Sequence, residues 1–94
     1  ILTTGGTGLG PRDVTPEATR SILDIEIPGI PEAMRMESMK KTSFAMLSRS
    51  VSGVRSGCLI INLPGSPKGV SECLEIILST LPHSLEMIRG WRTH

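Results

Sequence analysis

The clearest hydrophobic order lies in two adjacent stretches. Cys58-Leu59-Ile60-Ile61-Asn62-Leu63 is apolar on both faces until Asn62, the pattern of a strand buried in the middle of a sheet. From Val70 the period changes. Val70, Cys73, Leu74, Ile77, Leu78 and Leu81 make one stripe, extended by Leu85 and Ile88, as on an amphipathic helix. Glu72, Glu75 and Ser79 are expected to face away, and Pro82 to kink or interrupt the helix. Between strand and helix lies Pro64-Gly65-Ser66-Pro67-Lys68-Gly69. Ser66 suits an N-cap and Pro67 the first helical position.

The start of the chain has the same grammar. Residues 1–4 read as the end of a strand, and residues 5–14 as a loop containing Gly5, Gly6, Gly8 and Gly10. Thr15 is predicted to cap a helix that opens with Pro16, and Glu17 complements its dipole. Ala18, Ile22 and Ile25 recur at helical spacing, flanked by Leu23 and Ile27, until Pro28-Gly29 stops the run. A second helix is predicted over residues 31–40, with Ala33, Met34 and Met36 as its apolar side and Glu32, Arg35, Glu37 and Lys40 outward. Residues 44–47 give one further helical turn before Ser48-Arg49-Ser50. The short segment Val51–Val54 then turns at Ser56-Gly57 into the strong strand.

The chain therefore contains two strand–loop–helix units. If both strands are parallel members of one sheet, both loops lie at its carboxyl edge, where open α/β folds bind ligands. Glycine loops leading into helix N-termini let backbone N–H groups approach an anion closely. Two of them suggest a ligand with phosphate groups along that edge.

Composition narrows the partners. Ninety-four residues make at most one domain, and a strand feeding a glycine loop normally has neighbours on both sides. The chain is thus expected to be the C-terminal portion of one domain, spanning residues 1–94. A net charge of +1, with one Phe, one Trp and no Tyr, argues against nucleic-acid binding, since no basic run or stacking platform is present. No apolar stretch is long enough for a membrane helix. No charged-then-apolar signal peptide opens the chain, and a cytoplasmic location is expected. Cys58 and Cys73 are expected to be buried and reduced.

Candidate chemistry centres on Asp13, directly after Arg12. A carboxylate there could hold Mg²⁺ against a polyphosphate or position a reacting group. It could equally cap the loop or pair with Arg12, and spacing leaves these open. Arg12, Arg49, Arg55 and Lys68 lie in loops or at element ends, where they could neutralise phosphate or be solvated. His83 and His94 are expected at the surface, and no His/Cys cluster has metal-ligand spacing.

TTGGTG…PRDVTPEAT, AMLSRS and LIINLPGSPKG, with the tail ECLEIIL…LPH, closely resemble the molybdopterin adenylyltransferase family, which includes MogA-type bacterial proteins and the G domain of gephyrin. The resemblance covers essentially the whole chain. It implies an α/β fold, a three-layer α/β/α sandwich with a mostly parallel sheet (the MogA/MoaB-like molybdopterin-binding fold), here without its N-terminal strands. It also implies a homotrimer that transfers AMP from ATP to molybdopterin with Mg²⁺, and a fused or separate molybdenum insertase domain as partner. Carried onto this sequence, Thr4, Gly5, Gly6, Thr7 and Gly8 would meet the nucleotide and pterin phosphate region. Asp13 matches the catalytic, metal-holding carboxylate. Ser38 and Ser48 fall where family members contact molybdopterin, and Pro64, Gly65 and Ser66 line the same cleft. The family's second catalytic aspartate belongs to an N-terminal half that this sequence does not contain. The alternative is a trimerising scaffold module of a gephyrin-like protein, without catalysis in this chain. A CinA-like nucleotide hydrolase is disfavoured by the wording around the glycine loop.

Overall fold

A computed structural model describes residues 1–90. The chain runs β1 (Leu2–Thr4), α1 (Thr15–Ile22), β2 (Ile25–Glu26), α2 (Gly29–Ser38), β3 (Ser52–Arg55), β4 (Cys58–Leu63), α3 (Pro67–Ile77) and α4 (Leu81–Ile88). Single 3₁₀ segments lie at Ser43–Leu47 and Leu78–Thr80.

β4 organises the molecule because its two faces serve different helices, as the period of two in a strand requires. Leu59, Ile61 and Leu63 are buried against Met34 of α2 and Cys73 and Ile77 of α3. Ile60 and Asn62 take the opposite face, where Asn62 reaches Thr19 of α1. Helices therefore cover both faces of the sheet, and the α/β/α sandwich expected from the sequence is what forms. Each fully buried aliphatic side chain contributes about 1.5–3 kcal/mol, and β4 concentrates several of them.

The sheet order is β1-β4-β3-β2. Here the expectation of a mostly parallel sheet is corrected for the described strands: β1 and β4 are parallel, whereas β3 pairs antiparallel with both β4 and β2. For β3 and β4 the cause is the Ser56-Gly57 turn, with φ of 49° and 75°. Both central residues are left-handed, as in the tight turn that folds one strand directly back on the next.

Asn62 is wholly buried and uses its entire amide. Oδ1 accepts from the Val51 N–H at 3.1 Å, while Nδ2 donates to Thr3 Oγ1 at 2.9 Å and Thr19 Oγ1 at 3.0 Å. One side chain thus ties together β1, α1 and the approach to β3.

Several local expectations change. The predicted N-cap Thr15 is the first helical residue instead; Val14 takes the cap position, without a side-chain cap bond. Thr15 uses its N–H to reach the Gly6 carbonyl at 3.2 Å. Ile25 leaves the helix for β2 and is exposed, because Asp24 and Ile27 find strand partners in Val54 and Ser52. The long C-terminal helix is interrupted at Leu78–Thr80, with Pro82 in the first turn of α4. That break shifts the phase of the stripe and leaves Leu78 and Leu85 exposed. Ser66 caps α3 as expected, accepting from Gly69 N–H at 3.0 Å. Cys73 is buried, but Cys58 is exposed beside the hairpin turn. His83 is exposed as expected, and His94 lies outside the described residues.

Candidate functional site

The parallel pair brings the two loops together. Thr4 and Leu63 are its last registered residues, and the Gly5 N–H extends the ladder to the Leu63 carbonyl at 3.0 Å. The chains therefore leave the sheet side by side. A Cβ on Gly65 would lie 3.4 Å from the Gly5 Cα, so the backbones of both glycine loops are in contact just beyond the strand ends.

Gly6 fixes the first loop to α1. Its φ is 71°, and a Cβ there would sit 2.2 Å from Thr15 Oγ1, so only glycine allows both this backbone and this approach. Asp13 then folds back into the loop. Its Oδ2 accepts from the Gly10 N–H at 2.9 Å, and the space beside Gly8 and Gly10 is filled by that same oxygen. Of the roles left open by the sequence, closing the loop is the one this geometry displays.

Arg49 clamps the loop from outside. Its Nε donates to the Gly8 carbonyl at 2.8 Å, one terminal nitrogen to the Asp13 carbonyl at 2.6 Å, and the other to the Glu17 carboxylate. Its own N–H reaches the Thr7 carbonyl at 2.9 Å. The Arg49 hydrogen bond holds the Glu17 carboxyl below the usual carboxylate range. With every guanidinium nitrogen engaged, Arg49 is a loop clamp and not the open phosphate-neutralising cation considered from sequence. Arg55 is also removed from that group. It donates to the Ile22 carbonyl at 2.9 Å, at the opposite end of β4 from the loops. Arg12 and Lys68 are exposed at the first loop and in the first turn of α3.

A cleft of about 320 Å³ opens beside the loops. Thr7, Gly8 and Pro64 form its loop side, and Ser38 of α2 and Ser48 both line it. The structure thus brings together five of the sequence-derived site residues. Thr4, Gly5, Gly6, Gly65, Ser66 and Asp13 are not part of the lining; they shape the mouth or, in the case of Ser66, use the hydroxyl to cap α3. Ser48 Oγ and Ser50 Oγ share a hydrogen bond of 3.0 Å, and Arg35 donates to the Ser48 carbonyl at 3.3 Å. Much of the remaining wall is apolar, including Met34, Phe44 and Leu47. Cys73 Sγ lies 4.0 Å from Ser38 Oγ, and burial pushes its thiol upward from the ordinary value.

Sequence reasoning missed Glu72 and Arg35 as cleft residues. Both read as outward charges on helical faces, yet both line the cleft. The only available signal was that Glu72 borders Cys73, a core position. Among the described residues, no group of three or more His, Cys, Asp or Glu converges as a metal cage. Nor is any described helix long and apolar enough to cross a membrane.

A glycine mouth at the end of a parallel strand pair, opening on a serine-lined apolar cleft, defines a small-molecule-binding α/β domain. The chain belongs to the family described as the probable molybdopterin binding domain, which matches residues 1–83. It is 52% identical over 88 residues to the molybdenum cofactor synthesis protein cinnamon of Drosophila melanogaster, covering 94% of this chain and 15% of that protein. It is 48% identical over 90 residues to a molybdopterin adenylyltransferase of Helicobacter pylori strain J99, covering 96% of this chain and 51% of that protein. The structure superposes on the molybdopterin biosynthesis enzyme MoaB of Thermus thermophilus with a TM-score of 0.87 and 60% identity, covering 96% of this chain and 57% of the other. The chain thus spans about half the length of the bacterial relatives it matches, and less of the Drosophila protein.

Proposed function

We propose that this chain supplies the glycine mouth and pterin cleft of a molybdopterin adenylyltransferase in molybdenum cofactor biosynthesis, at work in the cytoplasm. The enzyme moves AMP from ATP onto the terminal phosphate of molybdopterin. A phosphate oxygen of molybdopterin bonds to the α-phosphorus of ATP, the α–β bridging bond breaks, and pyrophosphate leaves. The observation that carries this reading is the junction of the two glycine loops with a cleft containing both Ser38 and Ser48.

The protein's part is binding and alignment, which suits phosphoryl chemistry. The loop from Thr4 to Gly8 offers backbone N–H groups to phosphate, while Arg49 occupies the Gly8 and Asp13 carbonyls that would repel it. Pro64, Gly65 and Ser66 form the second lip, and Ser38 and Ser48 offer hydroxyls to the pterin side. Asp13 is half-buried at the mouth with Oδ2 bound to Gly10. A lone carboxylate fits Mg²⁺, which takes one or two protein carboxylates and completes its shell with water and substrate phosphate. Asp13 would hold it, and the ion would neutralise charge on the transferring phosphates.

The test uses the full-length protein with Mg-ATP and molybdopterin. Asp13→Asn should abolish AMP transfer while leaving the circular dichroism spectrum unchanged. Turnover equal to that of the parent would remove Asp13 from the mechanism.

In this reading the protein is a homotrimer, and a fused or separate molybdenum insertase domain receives its product. Exposed Phe44, Met46 and Leu47 form an apolar surface suited to assembly. The same surface supports the second reading, a trimerising scaffold without catalysis in this chain. Light scattering that finds only monomer for the full-length protein would overturn the assembly in both readings.

A further inference from the structure

The cleft is poor in negative charge. Among the described residues that line it, Glu72 carries the only side-chain carboxylate, and its side chain is only 22% exposed on the α3 wall. Several other polar groups there already have a partner within the protein, which a hydroxyl can keep while still meeting a ligand. Ser48 Oγ bonds Ser50, Thr42 Oγ1 accepts from the Phe44 N–H at 3.3 Å, and Arg35 is turned to the Ser48 carbonyl. Glu72 differs from these. Among the described residues its side chain accepts no hydrogen bond, and it faces the Lys41 ammonium 3.7 Å from Oε1.

A pterin has flat apolar faces and one edge where a ring N–H and an amino group point the same way. A carboxylate matches that edge with two parallel acceptors, and a hydroxyl cannot. Met34, Phe44 and Leu47 provide apolar walls of the same cleft, and small-molecule sites combine such walls with a few placed polar groups. Thr7 and Gly8 carry the cleft to the glycine loop, so a ligand holding its phosphate at the mouth can present its ring to α3.

We infer that Glu72 recognises the amino-bearing edge of the pterin and thereby orients molybdopterin with its phosphate at the glycine mouth. This assignment rests on the proposed adenylyltransferase reading. Glu72 selects the substrate, whereas Asp13 serves the transfer.

The test measures binding to the full-length protein by quenching of ligand fluorescence, with pterin and with lumazine, in which the amino group is replaced by a carbonyl. The parent should bind pterin about tenfold more tightly than lumazine, the loss expected for a charge-assisted hydrogen bond. Glu72→Gln keeps size and helix propensity. It should erase that preference while pyrophosphate binding at the mouth stays within about twofold, as for an independent site. A variant that keeps the preference overturns the role of Glu72 alone. The comparison of the two heterocycles on the parent does not depend on the variant's stability, and equal measurable affinities there overturn the assignment too. A parent that binds neither heterocycle overturns the adenylyltransferase reading together with it.

Discussion

Arg49 lies 41 positions beyond Gly8 in the chain and donates its Nε hydrogen to the Gly8 carbonyl at 2.8 Å. A distant basic residue thereby sets the conformation of the glycine loop, since the same guanidinium also binds the carbonyl of Asp13. Removing it leaves two carbonyls of a tight loop without their charged donor.

Arg49→Ala should therefore lower stability by about 2 kcal/mol, the scale of lost charge-assisted bonds at a part-exposed site. It should weaken pyrophosphate binding further than stability alone explains. Arg49→Lys, which keeps the charge but loses the planar fork, should recover little of either. Denaturant unfolding and isothermal titration of the full-length variants check this, and full rescue by lysine would show that charge alone suffices.

Asn62→Ala should be among the most disruptive single changes. It strands the Val51 N–H and the hydroxyls of Thr3 and Thr19, and unsatisfied buried polar groups cost about 1–3 kcal/mol each. A loss of roughly 3 kcal/mol in chemical denaturation is expected. Unchanged stability would mean that water replaces the amide.

Gly6→Ala should be worse than Gly57→Ala, although both positions have φ above 70°. At Gly57 an added Cβ meets nothing, whereas at Gly6 it collides with Thr15 Oγ1. Gly57→Ala should cost only the left-handed backbone penalty of about 1–2 kcal/mol. Gly6→Ala should exceed that and abolish anion binding at the mouth. Equal melting temperatures for the two variants would contradict the packing argument.

Acid should loosen the molecule through two carboxylates. Arg49 lowers Glu17 and Arg20 lowers Glu26 from the usual 4.5. Because both values are depressed on folding, their contribution is complete above the unfolded value and fades as pH falls through the folded ones. The melting temperature should fall below about pH 4.5. Glu17→Gln should flatten that dependence, while an unchanged profile would show that the pair with Arg49 is fully screened.

Much of the fold was legible because local rules and burial agreed. The β4 run, the Ser66-Pro67 start of α3 and the Ser56-Gly57 turn each combine periodicity with a specific backbone requirement. The parallel register of the glycine loops also followed from their shared grammar. Ile25 was misread because helical spacing continued one turn past the point where Asp24 and Ile27 found strand partners. Arg49 could not be separated from Arg12 or Lys68 by spacing, since its partners are carbonyls brought near only by the fold. Glu72 was hidden for a related reason. A residue beside a helical stripe can face solvent or a cleft, and the packing of α2 against α3 decides which.

The Gly5 bond to the Leu63 carbonyl has a kinetic consequence. The two lips are joined before any ligand arrives, so entry requires little ordering of either loop. Ligands of this mouth should therefore differ mainly in how long they stay, with arrival rates nearly shared among them.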